Sequence, residues 1–285
     1  MRLCRFGKGR LGVVDGDTVR DVTSVLDTLP GFRYPLPSHD VLIASLGPLT
    51  PRIRAIAVSA PSAPMGATSF LSPVANPGKL VAAPVNYQKH YEEVLANADL
   101  HHDAPIAVIQ KAGLFLKATS SVVGAGEGIA LRMPERRTDH EIELAVVIGK
   151  PAKLVAREEA LTFVAGYCIG LDITIRGTEE RSLRKSVDSY SVLGPVLVTT
   201  DEIPDPGHLG LRLSLNGTVR QESNTEDLIL GVPDLIAYAS SFYTLMPGDV
   251  IFTGTPAGVG PIQPGDVITA SIDGIGSMDV KVRAA

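Results

Sequence analysis

Short apolar runs separated by turn residues dominate the hydrophobic pattern of the chain and predict many β-strands. The clearest strand is 141–148, where alternating polar and apolar residues lead into a continuous apolar run. Paired runs flank the turns Asp15-Gly16, Asn216-Gly217 and Asp273-Gly274, which are typical of β-hairpins. Further strands are predicted over 79–83, 114–117, 129–131, 166–175 and 250–252.

Helical patterns are confined to a few short segments. The predicted helices are 25–29, 38–43, 86–97, 157–163 and 233–243. Strands outnumber helices, so we predict an α+β fold. Residues 59–78 are rich in Ser, Ala, Pro and Gly, a composition typical of a linker. We therefore predict a small β-rich N-terminal domain over residues 1–70 and a larger domain over residues 71–285.

Composition and charge exclude several classes of protein. The 285 residues are 45% hydrophobic and 20% charged, as in a globular protein. Lys plus Arg total 26 and Asp plus Glu total 31, and this net charge of −5 argues against a nucleic-acid partner. No apolar run reaches the ~20 residues of a membrane span, and the start of the chain lacks an apolar signal core. Because Cys4 and Cys168 form neither a disulfide framework nor a zinc site, we expect a cytoplasmic protein.

Three acidic residues form a candidate metal site. Glu141 and Glu143 lie two residues apart in a predicted strand, so both side chains project to the same face. Two carboxylates this close repel each other unless a cation stabilises them. Asp172 follows an apolar run, where burial without a partner is costly. Three carboxylates without Cys or His are hard oxygen ligands, which suit Mg²⁺, Mn²⁺ or Ca²⁺ better than Zn²⁺.

A solvated strand face is the alternative interpretation of the same acidic residues. In that case Glu141 and Glu143 would pair with nearby arginines such as Arg136 and Arg137. For a Glu-x-Glu pair taken alone, this is the commoner situation. His140 would project to the opposite face as a structural residue.

Four segments, in order along the chain, resemble the fumarylacetoacetate hydrolase family. The string DHEIELAVVIG at 139–149 is similar to the metal-binding strand of that family, and TGTPAGVG at 253–260 is similar to its C-terminal loop. KSVD at 185–188 resembles its lysine segment, and the hairpin that contains Gln221 resembles its hairpin. The resemblance covers about residues 80–285, and the order of its motifs favours the metal site over the solvated face.

The resemblance implies a fold, an assembly and a set of site residues. The implied fold is a mixed β-sandwich or β-roll catalytic domain with a small N-terminal domain, assembled as a homodimer. The metal carboxylates of the family fall on Glu141, Glu143 and Asp172, and Mg²⁺ is the implied metal, with Mn²⁺ or Ca²⁺ as alternatives. The catalytic lysine falls on Lys185 and the substrate-contacting threonine on Thr255.

A His-x-x-Glu pair in segment 86–93 resembles a mobile lid that many family members carry. This assigns His90 and Glu93 as catalytic residues. Residues three apart lie on one face of a helix, so the carboxylate can orient the imidazole, which then removes a proton from water. Tyr87 in the same segment and Arg176, which follows Asp172, are expected to bind substrate.

The chain departs from the family pattern around the mouth of the expected pocket. The run at 176–179 is RGTE instead of Arg-Asp-Leu-Gln, Arg184 stands before the lysine where many members have Gly, and Trp is absent. His101 and His102 lie in a predicted polar loop and are expected at the surface. These departures leave the identity of the small-molecule substrate open.

The implied reaction is hydrolysis of a C–C bond in an acylpyruvate or β-diketone type of 2-oxo acid. In the family, a divalent metal acts as a Lewis acid and the leaving carbanion is stabilised as an enolate beside the lysine. If His90 and Glu93 do not direct water, the same site favours an isomerase, hydratase or decarboxylase of an unsaturated 2-oxo acid from aromatic-compound degradation. A catalytically silent relative is the remaining alternative.

Overall fold

The N-terminal region combines a three-stranded antiparallel β-meander, two α-helices and two short strands. The structure, a computed structural model, describes residues 1–102 and 106–285. The elements of this region are β1 (Arg2–Phe6), β2 (Arg10–Asp15), β3 (Thr18–Asp21), a 3₁₀-helix (Thr23–Thr28), α1 (Val41–Ala44), α2 (Leu46–Ser59), β4 (Ser62–Pro64), a 3₁₀ turn (Met65–Ala67) and β5 (Phe70–Leu71). The predicted hairpin at Asp15-Gly16 is confirmed, and Gly16 has the positive φ of 56° that favours glycine there.

The remaining elements carry most of the predicted strands and helices. The middle of the chain forms β6 (Leu80–Ala82), α3 (Gln88–Ala96), α4 (Ala98–His101), α5 (Ile109–Ala112), β7 (Phe115–Lys117), β8 (Val122–Gly124), β9 (Ile129–Leu131), β10 (Thr138–His140), β11 (Ile142–Ile148), β12 (Val164–Asp172), β13 (Thr174–Ile175), α6 (Arg181–Lys185) and β14 (Ser191–Thr199). The C-terminal part forms β15 (Gly210–Leu215), β16 (Thr218–Asn224), α7 (Val232–Phe242), β17 (Val250–Phe252), β18 (Gly260–Pro261), β19 (Val267–Ile272) and β20 (Gly276–Ala284). Additional 3₁₀ segments are Thr119–Ser121, Arg157–Phe163 and Thr225–Asp227.

One large mixed sheet connects the N-terminal strands to the centre of the molecule. In the described residues its main path is β4-β3-β2-β1-β14-β12-β11-β17-β6-β7, with β5 beside β1 and β8 beside β14. β11 pairs with β12 on one side and with β17 on the other, so its backbone is hydrogen-bonded along both edges. All residues of β11 are buried, so this strand provides a rigid base for acidic side chains.

Apolar cores cover both faces of the large sheet. On one face, Ile142 of β11 shares a core with Leu213 of β15 and Ile268 of β19. These last two strands belong to a five-stranded sheet with the order β16-β15-β19-β20-β9. On the other face, Ala145 of β11 shares a second core with Ile53 of α2. The protein is therefore a β-sandwich with an added helical layer, and the predicted α+β class is confirmed.

The interpretation of residues 59–78 as a linker is wrong. β4 pairs with β3, β5 pairs with β1, and Val74 is buried in the second core. β4 forms an exposed edge of the sheet, where Ser and Pro are tolerated because one side of an edge strand needs no hydrogen bonds. β1 continues into the large sheet, with Leu3 opposite Leu197. The boundary of an N-terminal domain at residue 70 stays a prediction.

A three-stranded sheet, β13-β10-β18, brings the acidic segments together. β10 leads through Glu141 into β11, and β12 leads through Ile173 into β13. Because β10 pairs with β13 while β11 pairs with β12, the two connections face each other. The backbone N–H of Asp172 donates to the carbonyl oxygen of Glu141 at 2.9 Å. The chain crossing therefore fixes two of the three predicted ligands next to each other.

Candidate active site at a buried carboxylate cluster

The structure brings Glu141, Glu143 and Asp172 together in one buried cluster. Each offers a carboxylate oxygen, and these oxygens lie within 4.8 Å of one another. All three side chains are buried, so the alternative of a solvated strand face is wrong. Arg136 and Arg137 do not take part, because Arg136 pairs with Glu179 and Arg137 with Asp139.

Lys185 holds two of the carboxylates in place. Its ammonium nitrogen donates to Glu141 Oε2, Asp172 Oδ2 and Thr174 Oγ1, each at 2.6 Å. Arg176 adds a donor to Glu141 Oε1 at 2.8 Å. Burial by itself would raise the pKa of Glu141, but the charges of Lys185 and Arg176 lower it to about 2. Glu141 is therefore ionised at neutral pH.

Lys117 is a site residue that sequence reasoning missed. It ends β7, and its fully buried ammonium group donates to Asp172 Oδ1 and to the carbonyl oxygen of Tyr190. The nitrogen also lies 5.1 Å from the ring centroid of Phe252. Burial lowers the pKa of Lys117, although the Asp172 carboxylate opposes that shift. The signal that could have identified it is a lysine at the end of an otherwise apolar strand.

Glu143 is the carboxylate that most requires a cation. Among the described residues it makes no salt bridge, and its recorded hydrogen bond comes from the N–H of Gly254 at 2.7 Å. Burial raises the pKa of Glu143 well above its usual value, and the neighbouring Asp172 and Glu141 carboxylates raise it further. A buried carboxylate without a charged partner, beside two others, fits a divalent cation held by hard oxygen ligands.

His90 and Glu93 form a hydrogen-bonded pair on α3. His90 Nδ1 and Glu93 Oε2 are 2.8 Å apart, and His90 is buried. The other oxygen of Glu93 accepts the N–H of Gly258 at 2.9 Å, which ties the helix to the C-terminal loop. Gly258 has φ of 100°, and a Cβ there would lie 2.0 Å from the carbonyl oxygen of Arg220. The contact with Glu93 therefore depends on a glycine.

Thr255 is held by a network that starts at His140. Gln221 Nε2 donates to Thr255 Oγ1 at 2.8 Å, and Gln221 Oε1 accepts the N–H of Ile142 at 3.1 Å. Since Oε1 is the acceptor, His140 Nδ1, also 3.1 Å away, must carry a proton and donate to it. Burial lowers the pKa of His140, so the imidazole is neutral. The Thr255 hydroxyl can still donate its own hydrogen.

The predicted site residues do not all face the same cavity. His90, Glu141, Glu143, Lys185 and Thr255 line the floor of one cavity, whereas Asp172 and Glu93 are not among its lining residues. Arg176 lines it too, with its guanidinium bound to Asp139 and Glu141.

Tyr87 is not among the described residues that line the cavity. Its buried hydroxyl has no hydrogen-bond partner among the described residues. The expectation of a surface position is wrong for His101, which lines the cavity from α4, whereas His102 is exposed. Helix α4 turns His101 inward because it packs against α3 instead of forming a loop.

Comparison with known proteins identifies the family. The family described as fumarylacetoacetate (FAA) hydrolase C-terminal matches residues 79–283. The chain therefore belongs to this family, and the predicted resemblance is confirmed. None of the helices formed by residues 1–102 and 106–285 is long and apolar enough to cross a membrane.

Three relatives narrow the class of enzyme. The maleylpyruvate hydrolase of Aquipseudomonas alcaligenes is 56% identical over 286 residues, which cover 100% of both chains. The crystal structure of maleylpyruvate hydrolase from Sphingobium sp. SYK-6, in complex with manganese(II) ion and pyruvate, has a TM-score of 0.84 and 39% identity over 100% of both chains. The mitochondrial oxaloacetate tautomerase Fahd2a of Rattus norvegicus is 35% identical over 241 residues, which cover 80% of this chain and 74% of the relative.

The prediction of a metal-dependent hydrolase is confirmed by these relatives. The manganese complex of a relative and the carboxylate cluster of this chain together support a divalent metal as the cofactor. The individual roles of the site residues stay predictions.

Proposed function

We propose that the protein hydrolyses the C–C bond of an acylpyruvate and that maleylpyruvate is its substrate. The observation that carries the proposal is that His90, which is hydrogen-bonded to Glu93, lines the same cavity as Glu141 and Glu143 of the carboxylate cluster. Two relatives that match the full length of the chain are maleylpyruvate hydrolases, and this supports the choice of substrate.

The proposed cofactor is Mg²⁺, for which Mn²⁺ can substitute. Glu141, Glu143 and Asp172 would hold it, because they are hard oxygen ligands that converge within 4.8 Å. When bound, the cation supplies a Lewis acid for the oxygens of the 2-oxo acid. Lys117 and Lys185 each donate a hydrogen bond to one oxygen of the Asp172 carboxylate and so orient it in the cluster.

His90 is the proposed general base. The N–H at Nδ1 of His90 donates a hydrogen bond to Glu93. The lone pair of Nε2 is then free to take a proton from water. The resulting hydroxide adds to the acyl carbon, and the bond between that carbon and the methylene group breaks. The electron pair of this bond passes to the methylene carbon, which takes up a proton and becomes the methyl group of pyruvate. The acyl half leaves as a carboxylate, here maleate.

Lys185, Arg176 and Thr255 are proposed to position the substrate at this floor. Lys185 and Arg176 bring positive charge to the place where negative charge develops on the pyruvate oxygens. Thr255 accepts a hydrogen bond from Gln221, so its own hydroxyl hydrogen is available for a substrate oxygen. Tyr87 would reach a substrate only if α3 moved, since it does not line the cavity in this structure.

The proposal is tested by incubating the protein with Mg²⁺ or Mn²⁺, maleylpyruvate and heavy-oxygen water. We expect equal amounts of pyruvate and maleate, with one heavy oxygen in the new carboxylate of maleate. Protein treated with a chelator should release neither product until metal is restored. Formation of a product with the mass of the substrate, or no consumption of substrate, would contradict hydrolysis.

Tautomerisation or isomerisation of a 2-oxo acid is a second candidate, and decarboxylation or hydration belongs to the same group. The similarity to the oxaloacetate tautomerase of Rattus norvegicus favours it. These reactions need the carboxylate cluster but no directed water. Proton exchange at the methylene group of oxaloacetate, followed by magnetic resonance, would detect the tautomerase activity without interference from hydrolysis.

We also propose that the protein assembles as a homodimer in the cytoplasm. The family resemblance supports the assembly, and the buried, reduced state of Cys4 and Cys168 agrees with a reducing compartment. Light scattering of the purified protein tests the assembly, since a mass close to that of one 30.0 kDa chain would contradict a dimer. Cell fractionation tests the location.

A further inference from the structure

Four cationic side chains line one wall of the cavity, and their partners differ. These are Arg176, Arg181, Arg184 and Lys185. Arg176 and Lys185 are bound to buried carboxylates. Arg184 donates to the carbonyl oxygens of Glu179 and Ile175. The fourth cation, Arg181, differs from these three.

Arg181 makes no salt bridge and no side-chain hydrogen bond with any residue in 1–102 or 106–285. The adjacent carboxylate, that of Glu180, instead accepts the backbone N–H of Ser182 at 2.6 Å and caps helix α6. The guanidinium of Arg181 lies against the ring of Phe115, with 5.4 Å between its central carbon and the ring centroid. Burial lowers the pKa of Arg181 by more than the charges of Glu180, Glu141 and Asp172 raise it, which agrees with a partly desolvated guanidinium without a direct carboxylate contact among the described residues.

The same aromatic ring sets an upper limit on the distance between Arg181 and Lys185 at the site floor. Lys185 Nζ lies 5.7 Å from the centroid of Phe115 and Arg181 Cζ lies 5.4 Å from it, so the two cations are at most 11.1 Å apart. A seven-carbon acid with six C–C bonds of about 1.5 Å spans roughly 7 Å between its terminal carbons. With a hydrogen bond of about 2.9 Å at each end, such a molecule is long enough to reach both cations at any separation up to this limit.

Apolar side chains of the described residues also line the cavity, and we call them the apolar wall. They are Val85, Val94, Leu100 and Ile106. This wall suits the hydrocarbon part of a substrate, while the charged groups at the two ends of the substrate must find partners elsewhere. A planar guanidinium with free N–H groups is the preferred partner of a carboxylate, because it can donate two parallel hydrogen bonds.

We propose that Arg181 binds a carboxylate at the far end of the substrate and thereby selects 2-oxo acids that carry a second carboxylate. The pyruvate end lies at the carboxylate cluster, and the acyl end carries its charge to Arg181. The maleyl group has such a carboxylate, whereas acetylpyruvate ends in a methyl group. The orientation of the substrate, with pyruvate at the carboxylate cluster and the acyl end at Arg181, rests on the proposed function. The binding of a second carboxylate by Arg181 does not.

Kinetic specificity tests the proposal with the metal-loaded protein. The measured quantity is the ratio of kcat/KM for maleylpyruvate to kcat/KM for acetylpyruvate. We expect R181Q to lower this ratio about 30-fold, in line with the loss of a charge-assisted hydrogen bond, and R181K to restore part of it. The control is R132Q, since Arg132 is exposed, pairs with Asp188 and does not line the cavity. An equal loss for both substrates in R181Q would overturn the proposal.

Binding separates this proposal from the proposed function. 2-Oxoadipate and 2-oxohexanoate have the same chain length, and only the first has a second carboxylate. Calorimetry with the manganese-loaded protein should show about 30-fold tighter binding of 2-oxoadipate, and R181Q should abolish that preference. If neither acylpyruvate is hydrolysed but the preference holds, the proposed function fails and the role of Arg181 stands. Equal affinities in the unmutated protein would overturn the role of Arg181, whatever the kinetics show.

Discussion

The carboxylate cluster and the His90–Glu93 pair both contribute side chains to one cavity, but the two groups are built differently. Glu141 lies directly before β11, Glu143 lies within β11 and Asp172 ends β12, and both strands are hydrogen-bonded to neighbours on both sides. The His90–Glu93 pair lies on α3, a helix of nine residues, and Glu93 has a quarter of its side chain exposed. Elements with fewer buried contacts open more easily, so the pair can move while the cluster stays fixed.

This difference separates two tasks. A cation needs ligands that are already converged, because repulsion between carboxylates opposes gathering them at the moment of binding. Directed water needs a base that can approach the substrate once it is bound. We therefore expect substitutions in the two regions to have separable effects, one on metal binding and the other on hydrolysis.

The largest effect is expected from E143Q. The substitution keeps the shape of the side chain but removes the charge that would face the cation, so metal binding and activity should be lost together. A Lewis acid contributes several kcal/mol to the reaction, and we expect kcat/KM to fall about 10⁴-fold. Calorimetric titration with Mn²⁺ and an assay of pyruvate release measure the two losses. E158Q, at an exposed glutamate, is the matched control, and retained Mn²⁺ binding by E143Q would contradict the ligand assignment.

A smaller effect, confined to hydrolysis, is expected from H90A. Loss of a general base costs about 10²- to 10³-fold in rate, while the cluster should bind Mn²⁺ as before. H208A serves as the control, because His208 lies at the surface beside Asp205. Hydrolysis at the unmutated rate by H90A would show that another group activates water.

K117M should lower stability more than activity. Removal of Lys117 leaves one oxygen of the buried Asp172 without its cation, although Lys185 still binds the other oxygen. Breaking a buried ion pair in this way costs about 3 kcal/mol. Urea denaturation measures the free energy of unfolding, and K111M, at an exposed lysine, is the control. Equal unfolding free energies for K117M and K111M would contradict the importance of the buried pair.

The smallest effect is a pH-dependent gain of stability for E143Q without metal. The folded state raises the pKa of Glu143 above its usual 4.5, so this group favours folding below that pH and loses this contribution as the pH rises. In the presence of a chelator, the free energy of unfolding of the unmutated protein should therefore fall, relative to E143Q, as the pH rises above the usual pKa of 4.5. Urea denaturation of both proteins across this rise in pH tests the sign. A constant difference between them would argue against a raised pKa.

Local patterns predicted the elements whose conformation depends on near neighbours. The turns at Asp15-Gly16 and Asn216-Gly217 form hairpins, and the apolar run after Glu141 forms a central strand. The prediction failed for residues 59–78, because pairing with β1 and β3 depends on strands that lie far away in the chain. Composition alone does not distinguish a flexible Pro- and Ser-rich segment from an edge strand.

The sequence by itself determined the family, the β-rich architecture and three acidic residues suited to a divalent cation. Only the tertiary structure decided which charges surround them. Lys117 is 55 residues away from Asp172, and Gln221 is 34 residues from Thr255, yet both contacts are direct hydrogen bonds. The physical reason is that the partners of a buried charge are set by strand order and crossing. The environment of Arg181, a residue of helix α6, depends in the same way on Phe115 of strand β7.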